Sequence, residues 1–208
     1  MSEVDEALAA VVAQLPGGGE PREGQPTMAA AVARTMRDGG HVIVQAGTGT
    51  GKSLAYLVPA ALAGKKVIVA TATKALQDQL AGKDLPFVAE HLDREFSWAV
   101  LKGRSNYVCR QRLAEIAGTS AKAKGAQLSL DVLAERAPSD ELKRIAIWAD
   151  ETSSGDRAEL TWEPSVAAWS AVSVGAKECP GSARCPKGDE CFTELARRQG
   201  ADADVLVV

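Results

Sequence analysis

Residues 46–53 bring together the residue types that bind a phosphate group: three glycines, two threonines, a lysine and a serine. Glycine lets backbone N–H groups approach a phosphate closely, because a Cβ atom would block that approach. The lysine of such a loop reaches the β- and γ-phosphates of a nucleotide, and the serine hydroxyl ligates Mg²⁺. The sequence therefore predicts nucleotide binding at Gly47, Thr48, Gly49, Thr50, Gly51, Lys52 and Ser53. Lys52 and Ser53 are also predicted to be catalytic.

Four cysteines form a second group with its own chemistry. Cys109 stands alone, whereas Cys179, Cys185 and Cys191 follow one another with five residues in each interval. In a chain without an export signal, such a set is more often a metal site than a pair of disulfides. Thiolates suit zinc or an iron–sulfur cluster. The sequence has no closely spaced cysteine pair of the kind that zinc favours, so iron–sulfur is preferred and zinc stays open.

The elements around the glycine loop are those that would position it. Residues 41–45 form a short apolar, β-branched run, which predicts a buried strand. Residues 54–62 are compatible with a helix that ends near Gly64. A strand, a glycine loop and a helix in this order place the bound phosphate at a helix N-terminus.

Strands and helices alternate along much of the remaining chain. This order predicts an α/β fold with a parallel sheet covered on both faces, whose ligands bind at the carboxyl ends of strands. Ser2 and Ser139 are predicted helix N-caps. Residues from about 119 to 175 show helical patterns without a strand, which predicts a helical insertion. The predicted strands are residues 67–70, 96–101 and 205–208, and helices are predicted near residues 4–15, 26–38, 74–80 and 85–92.

Composition narrows the classes of protein to consider. The chain of 208 residues is long enough for one or two domains, and its net charge of −3 means that nucleic-acid contacts must come from local basic patches. One such patch lies beside Cys109 and comprises Lys102, Arg104, Arg110 and Arg112. The ring of Tyr107 lies among them in the sequence and can stack on a base. The acidic N-terminus and the lack of a long apolar run predict a cytoplasmic protein with no membrane partner.

Together these motifs closely resemble those of the iron–sulfur superfamily 2 DNA helicases, the XPD-like group, and within it the DinG-type ATP-dependent helicases. The resemblance runs from about Arg22 to Val208. Residues 45–53 look like the family's motif I, and residues 22–25 resemble its upstream adenine-recognition motif. Residues 69–80 are similar to motif Ia, which touches the DNA backbone, and residues 101–109 match the segment that carries the first cluster ligand.

The resemblance implies a RecA-like parallel-sheet P-loop NTPase domain over residues 20–208, after an N-terminal helix and linker at residues 1–19. A helical iron–sulfur cluster insertion is expected to interrupt that domain at about 104–192, with the four cysteines holding a [4Fe–4S] cluster. ATP and Mg²⁺ are expected at the phosphate loop, with ATP also contacting Arg22 and Gln25. Single-stranded DNA is expected at Thr71, Thr73, Lys74, Lys102, Arg104 and Tyr107.

By the same resemblance, the whole protein is expected to be an ATP-dependent 5′–3′ DNA helicase that acts in repair or recombination. The family's DEAH-type box does not occur among the 208 residues. We therefore expect the chain to be the N-terminal part of a longer protein, with weak nucleotide binding and little ATP hydrolysis of its own. Two alternatives stay open: a stand-alone nucleotide-binding or redox-sensing module, and a zinc-stabilised ATPase unrelated to DNA.

Overall fold

The computed structural model describes residues 2–19, 22–122 and 138–208, with the backbone alone at residues 119–122. The chain divides into unit 1, formed by Met1–Val100 and Gln199–Val208, and unit 2, formed by Leu101–Arg198. The strands are β1 (Val67–Val69), β2 (Trp98–Val100) and β3 (Val205–Val207). The helices are α1 (Glu3–Ala13), α2 (Gly24–Asp38), α3 (Lys52–Leu62), α4 (Lys74–Gln79), α5 (Leu85–His91), α6 (Arg110–Lys122), α7 (Ser139–Glu151), α8 (Val166–Val172) and α9 (Phe192–Asp202).

The sheet of unit 1 is parallel and has the strand order β1-β3-β2. Val205 of the central strand lies opposite Val67 on one side and Trp98 on the other. Val205 and Val207 are fully buried, as expected for a central strand whose two faces are both covered. The three strands predicted at residues 67–70, 96–101 and 205–208 are confirmed, together with the α/β class and the parallel arrangement.

The strand predicted at residues 41–45 is wrong. Residues 41–47 have no regular secondary structure, and Ile43 is 98% exposed. A strand requires a neighbour that accepts and donates backbone hydrogen bonds, and no described strand lies beside this run. Apolar, β-branched residues favour a strand only where that pairing and burial exist, so the local pattern was not sufficient.

Local capping explains where several helices begin. Ser2 is the N-cap of α1, as predicted, and it forms a capping box in which Asp5 N donates to Ser2 Oγ at 3.3 Å. Ser139 was also predicted as an N-cap, and that prediction is wrong by one residue, because Pro138 occupies the cap and Ser139 is already helical. Glu141 in the first turn of α7 instead accepts a hydrogen bond from Ser165 N at 2.8 Å, which ties α7 to the start of α8.

The core of unit 1 is built around α3. Leu57 and Val58 are fully buried among side chains of α1, α5, β3 and the π-helical segment Leu80–Asp84 that joins α4 to α5. Basic side chains close the C-terminal ends of three helices: Lys65 Nζ donates to Met36 O, Arg94 Nη1 to Leu62 O at 3.0 Å, and Lys66 Nζ to Gly200 O at 2.8 Å. These contacts satisfy carbonyl groups that a helix leaves unpaired at its end.

The core of unit 2 is aromatic. Trp169 of α8 is 4% exposed, and its Nε1 donates to Ser105 O at 2.8 Å. Trp148 of α7 lies against it with ring centroids 6.4 Å apart, and Tyr107 and Phe192 belong to the same cluster. The described part of the predicted helical region contains α7 and α8 and no strand longer than a single bridge between Tyr107 and Asp156. Residues 123–137 of that prediction lie outside the described residues. No described helix is both long and apolar enough to cross a bilayer.

Gly155 packs directly under the ring of Phe192 and has a φ of +66°. A Cβ atom at this position would lie 2.3 Å from the ring. Gly155→Ala should therefore add overpacking of about 1–3 kcal/mol to left-handed backbone strain of about 1–2 kcal/mol. Gly181 is the control for backbone strain in unit 2, because its φ of +84° and ψ of 159° lie in a region almost confined to glycine, while its Cβ position has open space around it.

Thermal unfolding of the metal-free protein, followed by tryptophan fluorescence, measures this difference. Three of the four tryptophans, Trp148, Trp162 and Trp169, lie in unit 2, so the signal reports mainly on that unit. Gly155→Ala should lower the Tm clearly more than Gly181→Ala. Equal decreases would show that the packing of Gly155 against Phe192 contributes nothing.

Candidate nucleotide and metal sites

The phosphate loop ends in a backbone conformation that requires glycine. Gly49 and Gly51 have φ values of +77° and +74°, in the left-handed region that other residues rarely adopt. Gly51 is the N-cap of α3, so Lys52 and Ser53 are its first two residues. The unpaired N–H groups of this helix end and its partial positive charge suit an anion held by the loop.

Lys52 is folded back over its own loop. Its Nζ donates to Ala46 O at 3.0 Å and also to Gly47 O, which accepts a further bond from Thr50 Oγ1 at 3.0 Å. The loop thus holds the ammonium group close to the backbone that would surround a phosphate. A bound nucleotide would have to replace these carbonyl contacts with its own oxygen atoms.

Gln25 connects α2 to the end of the phosphate loop. Its side chain is buried, and Nε2 donates to Gly51 O at 2.9 Å. A Cβ atom on Gly51 would come within 2.3 Å of Gln25 Nε2 and 3.3 Å of Arg22 Nη1. The sequence predicted Gln25 and Arg22 as ATP-binding residues, and the structure brings both next to the loop, with Arg22 exposed.

A cleft of about 780 Å³ opens beside this loop. A volume of this order is typical of sites for cofactors and nucleotides. The exposed run at residues 42–44 forms part of its wall, which gives the cleft an apolar side opposite the polar loop. Of the predicted ATP-binding residues, the lining includes Arg22, Gln25, Thr48, Gly49, Thr50 and Lys52.

The four cysteines line one small cavity in unit 2, of about 40 Å³. Cys109 directly precedes α6 and Cys191 directly precedes α9, so each lies at a helix N-terminus. Cys179 and Cys185 flank the 3₁₀ turn Ser182–Arg184. The turn is tight, because a Cβ atom on Gly188 would lie 2.2 Å from Ser182 O.

The charges around the four cysteines favour a positively charged metal group in the cavity. Burial raises the pKa of the Cys109 thiol, backbone N–H groups of Arg112 and Gln111 partly oppose this, and the neighbouring thiols of Cys185 and Cys191 raise it again. The protein supplies one cation directly: Arg104 Nη1 donates to Cys179 Sγ at 3.5 Å, and its Nη2 donates to Glu194 Oε1 at 2.8 Å. Several thiolates could share the cavity only with further positive charge between them.

The four cysteine side chains line a common cavity. Within the described ranges, no three or more His, Cys, Asp and Glu side chains are arranged to hold a single metal ion. The cavity of about 40 Å³ also exceeds the roughly 10–15 Å³ that one water molecule needs. The cavity thus has room for more than one water molecule.

A polar atom without a partner lies beside this cavity. Arg110, which follows Cys109, lines the cavity, and its Nε is buried with no hydrogen-bond partner among the described residues. A buried donor left unpaired costs about 1–3 kcal/mol. The sequence placed Arg110 in a basic patch for DNA and not at the cysteine cavity, since nothing in the sequence shows that an arginine after a cysteine is buried.

Comparisons with known proteins agree with this geometry. A family model described as DEAD/DEAH box helicase matches residues 25–126, which include Gln25 and the phosphate loop. The ATP-dependent helicase DinG of Mycobacterium tuberculosis (strain ATCC 25177 / H37Ra) is 45% identical over 98% of this chain and 32% of the relative. The ATP-dependent DNA helicase YoaA of Escherichia coli (strain K12) is 42% identical over 92% of this chain and 28% of the relative.

The chain is a homologue of the DinG/YoaA-type ATP-dependent DNA helicases. It spans about a third of the length of these curated relatives and matches their N-terminal region. A further relative, the 3'-5' exonuclease DinG of Bacillus subtilis (strain 168), is 33% identical over 72% of this chain and 15% of its own length. The resemblance inferred from the motifs is thereby confirmed.

Two of the residues predicted to contact DNA are buried in unit 2. Lys102, Arg104 and Tyr107 were predicted as DNA contacts, and Lys102 is 6% exposed, with its Nζ paired with Asp156 at 2.7 Å. Tyr107 is 4% exposed, and its hydroxyl accepts a hydrogen bond from Lys102 N at 3.0 Å. Burial raises the pKa of Tyr107. All three residues belong to unit 2, and Arg104 and Tyr107 also line the cysteine cavity. Charge in a sequence does not reveal which cations are paired, and the contact of these residues with DNA stays a prediction.

The other predicted DNA contacts lie at the carboxyl end of β1. Thr73 is the N-cap of α4 and accepts a hydrogen bond from Leu76 N at 3.3 Å, while Thr71 Oγ1 donates to Thr73 O at 3.2 Å. Lys74 is exposed. These residues are accessible in a way that the Lys102 segment is not, and their contact with DNA stays a prediction.

Gln25→Ala should weaken ATP binding and reduce the preference for ATP over GTP. The change removes one hydrogen bond to the phosphate loop, worth roughly two- to tenfold in affinity, and also the amide that the family resemblance assigns to the base. Binding of both nucleotides is measured by titration calorimetry in the presence of Mg²⁺.

Thr27→Ala is the control for this experiment. Thr27 lies two residues farther along α2 and lines the same cleft, but its hydroxyl donates to Glu23 O at 3.4 Å and makes no bond to the loop. It should leave both affinities almost unchanged. A Gln25→Ala variant that binds ATP and GTP as the wild type does would remove Gln25 from the site.

Proposed function

We propose that this chain forms the nucleotide-binding motor region of an ATP-dependent 5′–3′ DNA helicase that carries a [4Fe–4S] cluster and acts in DNA repair or recombination. The observation that carries the nucleotide part is the phosphate loop at the N-terminus of α3, held by Gln25 beside a cleft of about 780 Å³. The DinG and YoaA relatives, which are ATP-dependent helicases, support the helicase activity of the whole protein. The family resemblance supports the direction of movement.

ATP binding would exchange the contacts of Lys52. Its ammonium group leaves Ala46 O and Gly47 O and pairs with the β- and γ-phosphates, while Ser53 Oγ ligates Mg²⁺. The N–H groups of the loop and of the first turn of α3 then point at phosphate oxygens. Phosphoryl transfer also needs a carboxylate on Mg²⁺ and a positioned water. For the chain itself we propose nucleotide binding, and hydrolysis for the whole protein.

Single-stranded DNA would contact the exposed side chains that follow β1. Lys74 supplies a charge for a phosphate, and the hydroxyl groups of Thr71 and Thr73 supply hydrogen-bonding atoms. Contacts to the backbone carry no sequence information, which suits a protein that moves along DNA. Because they release counterions, such contacts weaken as the salt concentration rises.

The four cysteines fit an iron–sulfur cluster better than a zinc ion. A tetrahedral zinc site with Zn–S bonds of about 2.3 Å would bring sulfur atoms to about 3.8 Å from one another. The four cysteines line a common cavity, and the five-residue intervals between Cys179, Cys185 and Cys191 favour the wider ligand set of a cluster. When bound, a [4Fe–4S] cluster would supply a redox-active centre and cross-link the segments that carry its ligands. Cys109, Cys179, Cys185 and Cys191 would hold it, and Arg104 would offset part of its negative charge.

Metal analysis of anaerobically purified protein tests the cluster. We expect a brown protein with iron and acid-labile sulfide in equal amounts, because inorganic sulfide accompanies the iron in such clusters. Cys185→Ser should lose most of both. The control is Ser182→Ala, a change in the adjacent turn that removes no proposed ligand and should retain the cluster. Stoichiometric zinc without iron would refute the cluster and favour the alternative of a zinc-stabilised ATPase.

Lys52→Ala should abolish the preference of the chain for ATP over AMP. AMP lacks the β- and γ-phosphates that Lys52 would pair with, so its affinity should hardly change. In the whole protein, loss of this charge should lower the rate of ATP hydrolysis by about 10²-fold or more. Titration with both nucleotides gives the binding result, and a phosphate-release assay gives the rate.

Lys83→Ala is the matched control, since Lys83 is an exposed lysine of the same unit and does not line the cleft. It should bind both nucleotides as the wild type does. If Lys52→Ala kept the normal preference for ATP, the phosphate loop would not be the nucleotide site. DNA unwinding by the whole protein, with a loss in Lys52→Ala, separates the helicase from a stand-alone nucleotide-binding or redox-sensing module.

A further inference from the structure

Arg110 is held in place by two contacts, neither of which involves its Nε–H group. Its Nη1 donates to Asp150 Oδ1 of α7 at 3.1 Å. Its guanidinium carbon lies 4.7 Å from the centroid of the Phe192 ring in α9. The Nε of the same group is buried, and no described residue accepts its hydrogen.

The unused donor cannot be removed by loss of a proton, because an arginine side chain stays protonated in proteins. The side chain also cannot turn away without giving up its contacts with both Asp150 and Phe192. Arg110 lines the cavity that the four cysteines share, and it follows Cys109 directly, as Phe192 follows Cys191. The acceptor for Nε is therefore expected in that cavity.

We propose that the Nε–H group of Arg110 donates a hydrogen bond to a sulfur atom of the iron–sulfur group held by the four cysteines. This inference rests on the cluster of the proposed function. A donor at cluster sulfur favours the more negative, reduced form, so Arg110 raises the reduction potential. Arg110 thus tunes the cluster without being a ligand. Arg104 contributes at Cys179, and Arg110 adds a second, independent donor next to Cys109.

Three variants separate the hydrogen bond from the charge. Arg110→Met removes the charge and the donor. Arg110→Lys keeps a positive charge at the end of the side chain and replaces Nε by a carbon. Arg112→Met is the matched control, because Arg112 lies on the same helix, is 24% exposed against 25% for Arg110, and pairs with Glu115.

The measurement is a redox titration of the cluster's visible absorbance in the full chain, with iron content determined for each variant. Arg110→Met and Arg110→Lys should both shift the potential to more negative values. The expected shift corresponds to a decrease of about two- to tenfold in the equilibrium constant for reduction, which is the value of one hydrogen bond. Arg112→Met should titrate like the wild type.

The outcomes distinguish the role of Arg110 from the presence of the cluster. A wild-type protein without iron would overturn both. A wild-type cluster whose potential is the same in all variants would overturn only the role of Arg110, and so would equal shifts in Arg110→Met and Arg112→Met with none in Arg110→Lys. If an Arg110 variant assembles no cluster, the Tm of its metal-free form is compared with that of the metal-free wild type. Equal Tm values would support the hydrogen bond to the cluster. A lower Tm in the variant would show that Arg110 acts only through its packing on Phe192.

Discussion

Burial of α3 determines what the phosphate loop can do. Leu54 to Ala61 are buried except Tyr56, so the helix has almost no exposed side on which it could rotate or slide. Its first residues, Lys52 and Ser53, are consequently fixed relative to the loop that precedes them. Gln25 adds a hydrogen bond from a second helix to the carbonyl of Gly51, at the joint between loop and helix. Apolar packing thus sets the position of polar groups that have little burial of their own.

The fold of unit 2 brings together cysteines that are distant in the sequence. Cys109 and Cys191 are placed by the ends of two helices whose next residues, Arg110 and Phe192, lie against each other. Hydrogen bonds from Val108 N to Gly155 O at 2.9 Å and from Cys109 N to Val172 O at 2.7 Å fix the segment that carries the first cysteine. The aromatic core of Trp169, Tyr107 and Phe192 therefore supports the cavity even before any metal group is considered.

The sequence predicted most of what depends on local pattern. The strands at residues 67–70, 96–101 and 205–208, the N-cap at Ser2 and the glycine loop all follow from short-range periodicity or motif chemistry, and the structure contains them. The strand at residues 41–45 failed because pairing is a property of the neighbouring chain and not of the run itself. The burial of Lys102 and Tyr107 could not be predicted, because it depends on contacts such as the ion pair of Lys102 with the distant Asp156. Arg110 was predicted only as part of a basic patch, since the sequence does not show that its Nε is buried without a partner among the described residues.

The basic side chains that close the helix ends of unit 1 have a wider consequence. Lys65 and Lys66 each hold terminal carbonyl groups of a helix, at Met36 and Gly200, with their ammonium groups. An amide cannot replace an ammonium group there, because it has fewer hydrogens to donate and no charge to oppose the helix dipole. The folding free energy of unit 1 therefore depends in part on the positive charge of two exposed lysines. Acetylation of this adjacent pair would weaken the C-terminal ends of α2 and α9 at once.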